Sequence, residues 1–192
     1  GTAVALSDDG SVMAVGYPSA DITRVFQHTS SGWTQMGLYL QGASGDEFGV
    51  SVALSNNGHI LAVGANKNDG TGSDAGHVRI FEWESSKWTQ LGKDLGGEAA
   101  DDWFGRSVAL SGDGQKVAIG GYRNVDAGSN AGHVRVFEWE SSTWTQLDTD
   151  LNGKKAGDQS GFSVALSSDG TILAIGAFGN HGAGNNAGHG LC

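Results

Sequence analysis

One proline and one cysteine stand among the 192 residues, and 11 lysines and arginines face 21 aspartates and glutamates. The lone cysteine, Cys192, excludes an internal disulfide. So little proline, with no three-residue period, excludes a collagen-like chain in spite of 33 glycines. The shortage of basic residues leaves a formal net charge of −10, which excludes nucleic acid and anionic membrane as electrostatic partners and favours a cationic ligand or a divalent metal. No apolar run approaches the roughly 18 residues a spanning helix needs, so no membrane insertion is expected. No basic and apolar leader opens the chain, which fits either a cytosolic protein or one whose true start lies elsewhere. Catalytic motifs are missing too. The nucleophile-elbow pattern G-x-S-x-G does not occur, and no Ser, His and acid set stands out. The turns read S-x-[DN]-G, one residue shorter than the sialidase-type Asp-box, and there is no N-x-[ST] acceptor.

What the chain has is repetition. The segment VALS begins at Val4, Val52, Val108 and Val164, giving spacings of 48, 56 and 56 residues. The short first copy has lost loop residues, where GYPSADITRVF replaces GANKNDGTGSDAGHVRIF. Trp33, Trp88 and Trp144 keep the same register, as do Phe26, Phe81 and Phe137, and Asp46, Asp102 and Asp158. Within one copy, alternation and turn residues mark four short strands. SVALS and ILAVGA are joined through Asn57-Gly58, a pair that tolerates the positive φ of a tight hairpin. HVRIFEWE and KWTQLG form a second hairpin after a loop rich in Gly, Asn and Asp. Alternation places Val78 and Ile80 opposite His77, Arg79, Phe81 and Trp83, so both faces carry bulk, as in a sheet packed between two others. A four-stranded antiparallel unit of this length, repeated, predicts an all-β chain folded as β-propeller blades. Residues 1–192 read as a single unit, an incomplete arc of three to four blades.

The segments EFGVSVALSNNGHILAVGA, WFGRSVALSGDGQKVAIGG and SGFSVALSSDGTILAIGA, with AGHVRIF and AGHVRVF further on, resemble the FG-GAP repeat family of the integrin-α propeller. The fourth copy departs, with Ser160-Gly161 in place of Phe-Gly, and no copy has the proline usual after GA. The resemblance implies a closed ring of seven blades, to which this chain contributes a little over three. It therefore predicts an open arc with exposed apolar faces near Val4, Leu6, Ile172 and Ile175, and self-association through open blade edges. The AGHGLC ending, Gly190-Leu191-Cys192, reads as a break in the repeat. The resemblance also implies a calcium loop between the first and second strands, but SDDG, SNNG, SGDG and SSDG carry too few carboxylates for six to eight oxygen ligands. This marks a calcium-poor variant. Any calcium is expected to bind weakly and in the next loop, at Asn66, Asn68, Asp69 and Asp74, where turn formation is the competing role.

His77, His133 and His189 recur every 56 residues, but equivalent positions in successive blades are rotated apart and do not converge on one ion. They read as structural. The repeated tryptophans read as blade packing. Trp103 is different: it occurs once, in GGEAADDWFG, where other copies have Glu47 or Gln159. Trp103, with Asp101 and Asp102 beside it, is the candidate ligand contact, with a loop plug as its other reading. The expected function is a non-enzymatic interaction or adhesion module binding a protein or glycan, extracellular or at the cell surface by resemblance. Two alternatives stand beside it: a propeller domain of a larger secreted enzyme whose catalytic residues lie elsewhere, and a purely structural surface repeat.

Overall fold

The computed structural model describes residues 1–180 and the backbone of 189–191. The only helix among them is one 3-10 turn, Pro18–Ala20. The first blade holds β1 (Ala3–Leu6), β2 (Val12–Tyr17), β3 (Ile22–Thr29), β4 (Gly32–Gln35) and a short β5 (Leu40–Gln41). The second holds β6 (Ser51–Leu54), β7 (Ile60–Ala65), β8 (His77–Glu84), β9 (Lys87–Gln90) and β10 (Leu95–Gly96). The third has four strands, β11 (Ser107–Leu110), β12 (Lys116–Gly121), β13 (His133–Glu140) and β14 (Thr143–Asn152). The fourth contributes β15 (Ser160–Leu166), β16 (Leu173–Ala177) and β17 (His189–Leu191). Every pairing within a blade is antiparallel, and the blades follow one another as an open arc of propeller blades.

β5 and β10 were not anticipated. Each adds two residues to the lower end of the third strand after an interruption at Gly37 (φ 68) or Gly92 (φ 77). In the third blade Asp148 takes the same left-handed conformation (φ 61) as a bulge, and β14 runs through as one ten-residue strand.

All six residues of β7 are buried, because the second blade is covered on both faces. Leu61, Val63 and Ala65 pack with Val12, Ala14 and Val25 of the first blade, while Ile60 and Ala62 pack with Val117 and Ile119 of the third. Two of the three repeated tryptophans fasten their blade to the one before, whereas Trp33 of the first blade is exposed. The Trp88 indole N–H donates to the Met36 carbonyl at 3.2 Å, and that of Trp144 to the Leu91 carbonyl at 2.9 Å.

Glycine sets the spacing between blades. A Cβ on Gly64 would lie 2.0 Å from the Gly105 carbonyl oxygen, and one on Gly120 would lie 2.1 Å from that of Gly161. The hydroxyls of Ser51 and Ser107 donate to the same two carbonyls, at 2.7 and 2.8 Å. At the hairpin-turn end a backbone relay runs from blade to blade: Asp8 N–H to the Asn56 carbonyl, Asn56 N–H to Gly112, and Gly112 N–H to Ser168.

The expected apolar faces are present at Val4, Leu6 and Ile172, which are 69%, 58% and 59% exposed. Ile175 is a correction. It is 4% exposed, because β16 lies inside its sheet and presents Ile175 to Ala118 and Val134 of the third blade.

Gly64→Ala is expected to destabilise the fold by about 2–3 kcal/mol, since backbone must move to admit the methyl group. Gly70→Ala meets only the Asn68 side-chain oxygen, and should cost less than about 1 kcal/mol. Chemical denaturation of both variants checks the contrast.

Candidate functional site

An antiparallel blade sends its hairpin turns to one end and its connecting loops to the other. The hairpin turns are chemically occupied. In the first, Ser7 Oγ donates to Asp9 Oδ1 at 2.7 Å, and the Ser11 N–H donates to the same oxygen at 2.9 Å. The Ser11 backbone and the Ser7 hydroxyl hold the Asp9 carboxyl down at about 2. Asp169 is likewise held at about 2, first by the Ser167 hydroxyl and then by the Thr171 N–H. Asp113 plays the same part in the third turn, and in the second the amide oxygen of Asn57 takes the place of the carboxylate, accepting from the Ser55 hydroxyl and the His59 N–H.

The connecting loops differ between copies. Between β7 and β8, Asn66 is 1% exposed, and its amide has no hydrogen-bond partner. Asn68 Nδ2 donates to Asp46 Oδ2 at 2.8 Å, and its Oδ1 accepts the Gly70 N–H. Asp69 Oδ1 accepts the Asp74 N–H at 2.9 Å, and Asp74 sits at φ 50. Asn68, Asp69 and Asp74 therefore have explicit turn-forming roles, whereas the buried Asn66 amide has none.

Between β10 and β11, Asp102 is fully buried, and its Oδ2 accepts the Glu98 and Ala99 N–H groups at 3.2 and 2.9 Å. Asp158 does the same for Lys154 and Lys155 in the next blade. Asp102 is thus the pin of a repeated loop, while Asp101 is exposed at φ 64. Trp103 is half-buried at φ 55, the conformation Glu47 and Gln159 also adopt. Its neighbours explain the substitution. Glu47 pairs with Lys67 at 2.7 Å, whereas Trp103 receives the Arg123 guanidinium over its ring at 4.5 Å, and Arg123 occupies the position of Lys67 one blade on. The indole also begins an aromatic row. Trp103 meets Tyr122 edge-on at 5.8 Å, Tyr122 meets Phe162 at 5.3 Å, and Phe162 meets Phe178 at 4.6 Å. Arg106 lies over Phe162 at 5.3 Å, and Phe178 is 49% exposed. The ring missing from position 160 of the fourth copy stands two residues later, at Phe162, where it joins this row.

The histidines divide. His77 and His133 occupy equivalent places, each with Nδ1 3.3 Å from a carboxylate, Asp94 or Asp150. Burial pushes both imidazoles below their usual 6.5, against the pull of the adjacent aspartate. Around His133 two further acids gather. Ligand atoms of Glu98, Asp126, His133 and Asp150 all lie within 4.8 Å of one another. Burial, with Asp150 nearby, raises the Glu98 carboxyl, while Arg135 opposes the shift. The repeat spacing of the histidines predicts structural roles with no convergence among them. His133 instead meets three acids, of which Glu98 and Asp126 have no acidic counterpart in the second copy, a difference visible on comparing position 98 with Gly42 and Lys154. The side chain of His189 and the loop before it lie outside the described residues, as do the side chains of Gly190 and Leu191 and the whole of Cys192.

Two stretches of the chain, residues 41–81 and 96–137, match the family model described as FG-GAP repeat. Both stretches are FG-GAP repeats, carried by successive blades. A search of curated proteins gives no significant match. Among solved structures, the FG-GAP chain is similar to hydrazine synthase of Kuenenia stuttgartiensis, with TM-score 0.60 and 17% identity over 93% of this chain and 50% of that one. It is similar also to a protein of Bacteroides uniformis described as a 6-phosphogluconolactonase, with TM-score 0.62 and 14% identity over 93% and 48% of the two chains. A Bacteroides fragilis protein with the same description gives TM-score 0.55 and 16% identity over 79% and 39%. At these identities the likeness is one of fold, and the FG-GAP chain spans half or less of the length of each.

Because burial depresses His77, the unfolded chain takes up a proton near pH 6.5 that the folded chain does not. Stability should therefore fall as pH drops below 6.5, with a limiting slope of about 1.4 kcal/mol per pH unit for this group. Urea midpoints compared at pH 7.5 and 5.5 should show a smaller loss in His77→Gln than in the parent.

Proposed function

We propose that this FG-GAP chain is a non-enzymatic interaction module, extracellular or at the cell surface, whose connecting loops hold a protein or glycan partner. The observation that carries this reading is the aromatic row Trp103, Tyr122, Phe162 and Phe178, with Arg106 and Arg123 over its rings. Aromatic and arginine side chains supply most binding hot spots, and their ring faces suit both apolar protein surfaces and the faces of sugar rings. The row does not repeat. Glu47 and Gln159 replace Trp103, and Asn66 replaces Tyr122, so packing common to all blades does not require it. Its arginines bring positive charge to one place on a chain of net charge −10. A second reading draws on the similar structures, which are those of proteins described as enzymes and at least twice as long as the matched share of them. In it the blades form the propeller domain of a larger enzyme whose reacting groups lie outside this chain.

Arrays of extracellular proteins and of glycans test the first reading. A partner retained by the chain should lose about tenfold or more in affinity on Phe178→Ala or Trp103→Ala, with an unchanged circular dichroism spectrum. A partner that binds the double variant as tightly as the parent overturns the assignment to the row.

Self-association belongs to the same proposal, because Val4 and Leu6 stand on a face with no neighbouring blade among the described residues. Sedimentation equilibrium should show concentration-dependent association that Val4→Lys with Leu6→Lys reverses. A monomer at all concentrations contradicts it.

A further inference from the structure

The geometry points to a divalent transition-metal site, of the kind that takes Zn2+, formed by His133 with Asp150, Glu98 and Asp126. His133 is fully buried, and neither of its ring nitrogens has a hydrogen-bond partner. Its Nδ1 nevertheless faces Asp150 Oδ2 at 3.3 Å. Two ligands on adjacent corners of a tetrahedral zinc shell, each about 2.0–2.1 Å from the ion, stand about 3.4 Å apart. That pair already has the required separation. The exposed side chains of Glu98 and Asp126 have their oxygens within 4.8 Å of it and supply the third and fourth ligands.

The surroundings orient the ligands. Asp150 Oδ1 accepts from Gln146 Nε2 at 2.7 Å, which leaves Oδ2 turned to the imidazole. Gln146 is itself held by Arg135, whose Nε and Nη2 donate to Gln146 Oε1 at 2.9 and 2.7 Å. Asn124 fixes the Asp126 turn, accepting the Asp126 N–H at 3.0 Å and donating to Asp102 Oδ1 at 3.2 Å. The buried carboxylate of Asp102 also holds the Glu98 N–H. Hydrogen-bonded ligands of this kind are what metal sites use to fix ligand direction.

Charge leads to the same conclusion. Three carboxylates and a neutral imidazole face one guanidinium, that of Arg135, 3.6 Å from both Glu98 and Asp150. Two negative charges remain uncompensated, and a divalent cation supplies the balance. An imidazole among the ligands favours a borderline transition ion over calcium, which takes oxygen ligands only. The second blade serves as an internal control. It keeps His77, Asp94 and Arg79 in the same arrangement but has Gly42 and Gly70 where the third blade has Glu98 and Asp126. Among the described residues the site is therefore confined to one blade. It is also separate from the hairpin turns, where the family resemblance implies calcium.

Calorimetric titration of the metal-free chain with Zn2+ should give one equivalent, with Ca2+ binding far more weakly. Glu98→Gln and Asp126→Asn, both at exposed positions, should each weaken Zn2+ about tenfold or more while leaving the fold intact. Asp94→Asn, the control in the second blade, should change nothing. Bound Co2+ should perturb the His133 imidazole resonances and spare those of His77. The proposal is overturned if no Zn2+ binds more tightly than about 100 µM, if the Glu98→Gln, Asp126→Asn double variant binds as the parent does, or if Ca2+ is preferred. Phe178→Ala leaves this binding untouched, so the outcome is independent of the aromatic row.

Discussion

Successive blades of this protein come into direct backbone contact where the glycine near the end of the second strand meets the glycine that opens the next repeat. Gly16 meets Gly49, Gly64 meets Gly105, and Gly120 meets Gly161, each at a distance that no Cβ could occupy. Much else follows from that approach. Ser51 and Ser107 can reach across to the carbonyls of Gly105 and Gly161 only because the strands lie so close. The turn-to-turn relay through Asp8, Asn56, Gly112 and Ser168 needs the same spacing at the other end of the strands. Phe48 and Phe104, each immediately before the contacting glycine, are carried into the interior and are fully buried. The two glycines and the phenylalanine of the repeat are thus one device for joining sheets face to face. The apolar side chains of β7 then fill both gaps that the joint creates.

That device explains which parts of the fold were legible in the sequence. Strand limits such as Ile60–Ala65 and His77–Glu84 follow from alternation and Asx-Gly turns because the pattern is local. The burial of both faces of β7 followed from the bulk on both faces of β8. β5 and β10 were missed because two residues show no period, and because their pairing depends on the chain resuming its register after Gly37 or Gly92. The burial of Ile175 was missed for a different reason. Counting strands places β16 near the end of the arc, but its exposure depends on which face meets the third blade, and only the packing against Ala118 and Val134 decides that.

Sites are harder to read than blades in a repeat, since every scaffold position is also a conspicuous position. His133 and His77 look alike in the sequence, as do Asp102 and Asp158, and in the structure most of those likenesses are scaffold roles. The informative positions are those where equivalent residues differ while the backbone does not. Glu47, Trp103 and Gln159 share one left-handed conformation, yet the first makes an ion pair and the second a cation–π contact, using equivalent cations, Lys67 and Arg123. The loop geometry is held constant, so exchanging the side chain changes the surface without rebuilding the support.

Asp102 shows how far that separation extends. Its carboxylate is buried and satisfied by the Glu98 and Ala99 amides and by Asn124, so the loops on both sides of it are fixed before anything binds. One neighbour in sequence, Trp103, starts the aromatic row, while Glu98 and the Asn124-anchored Asp126 converge on His133. A flexible loop would have to give up conformational freedom to bring such groups together, and that cost would weaken any ligand it held. Here the repeat has already met that cost, because the same aspartate pins the same loop where no acids converge, as Asp158 does in the next blade. Binding chemistry can therefore arise in one blade by substitution at exposed positions alone, and the differences between copies are where it should be sought.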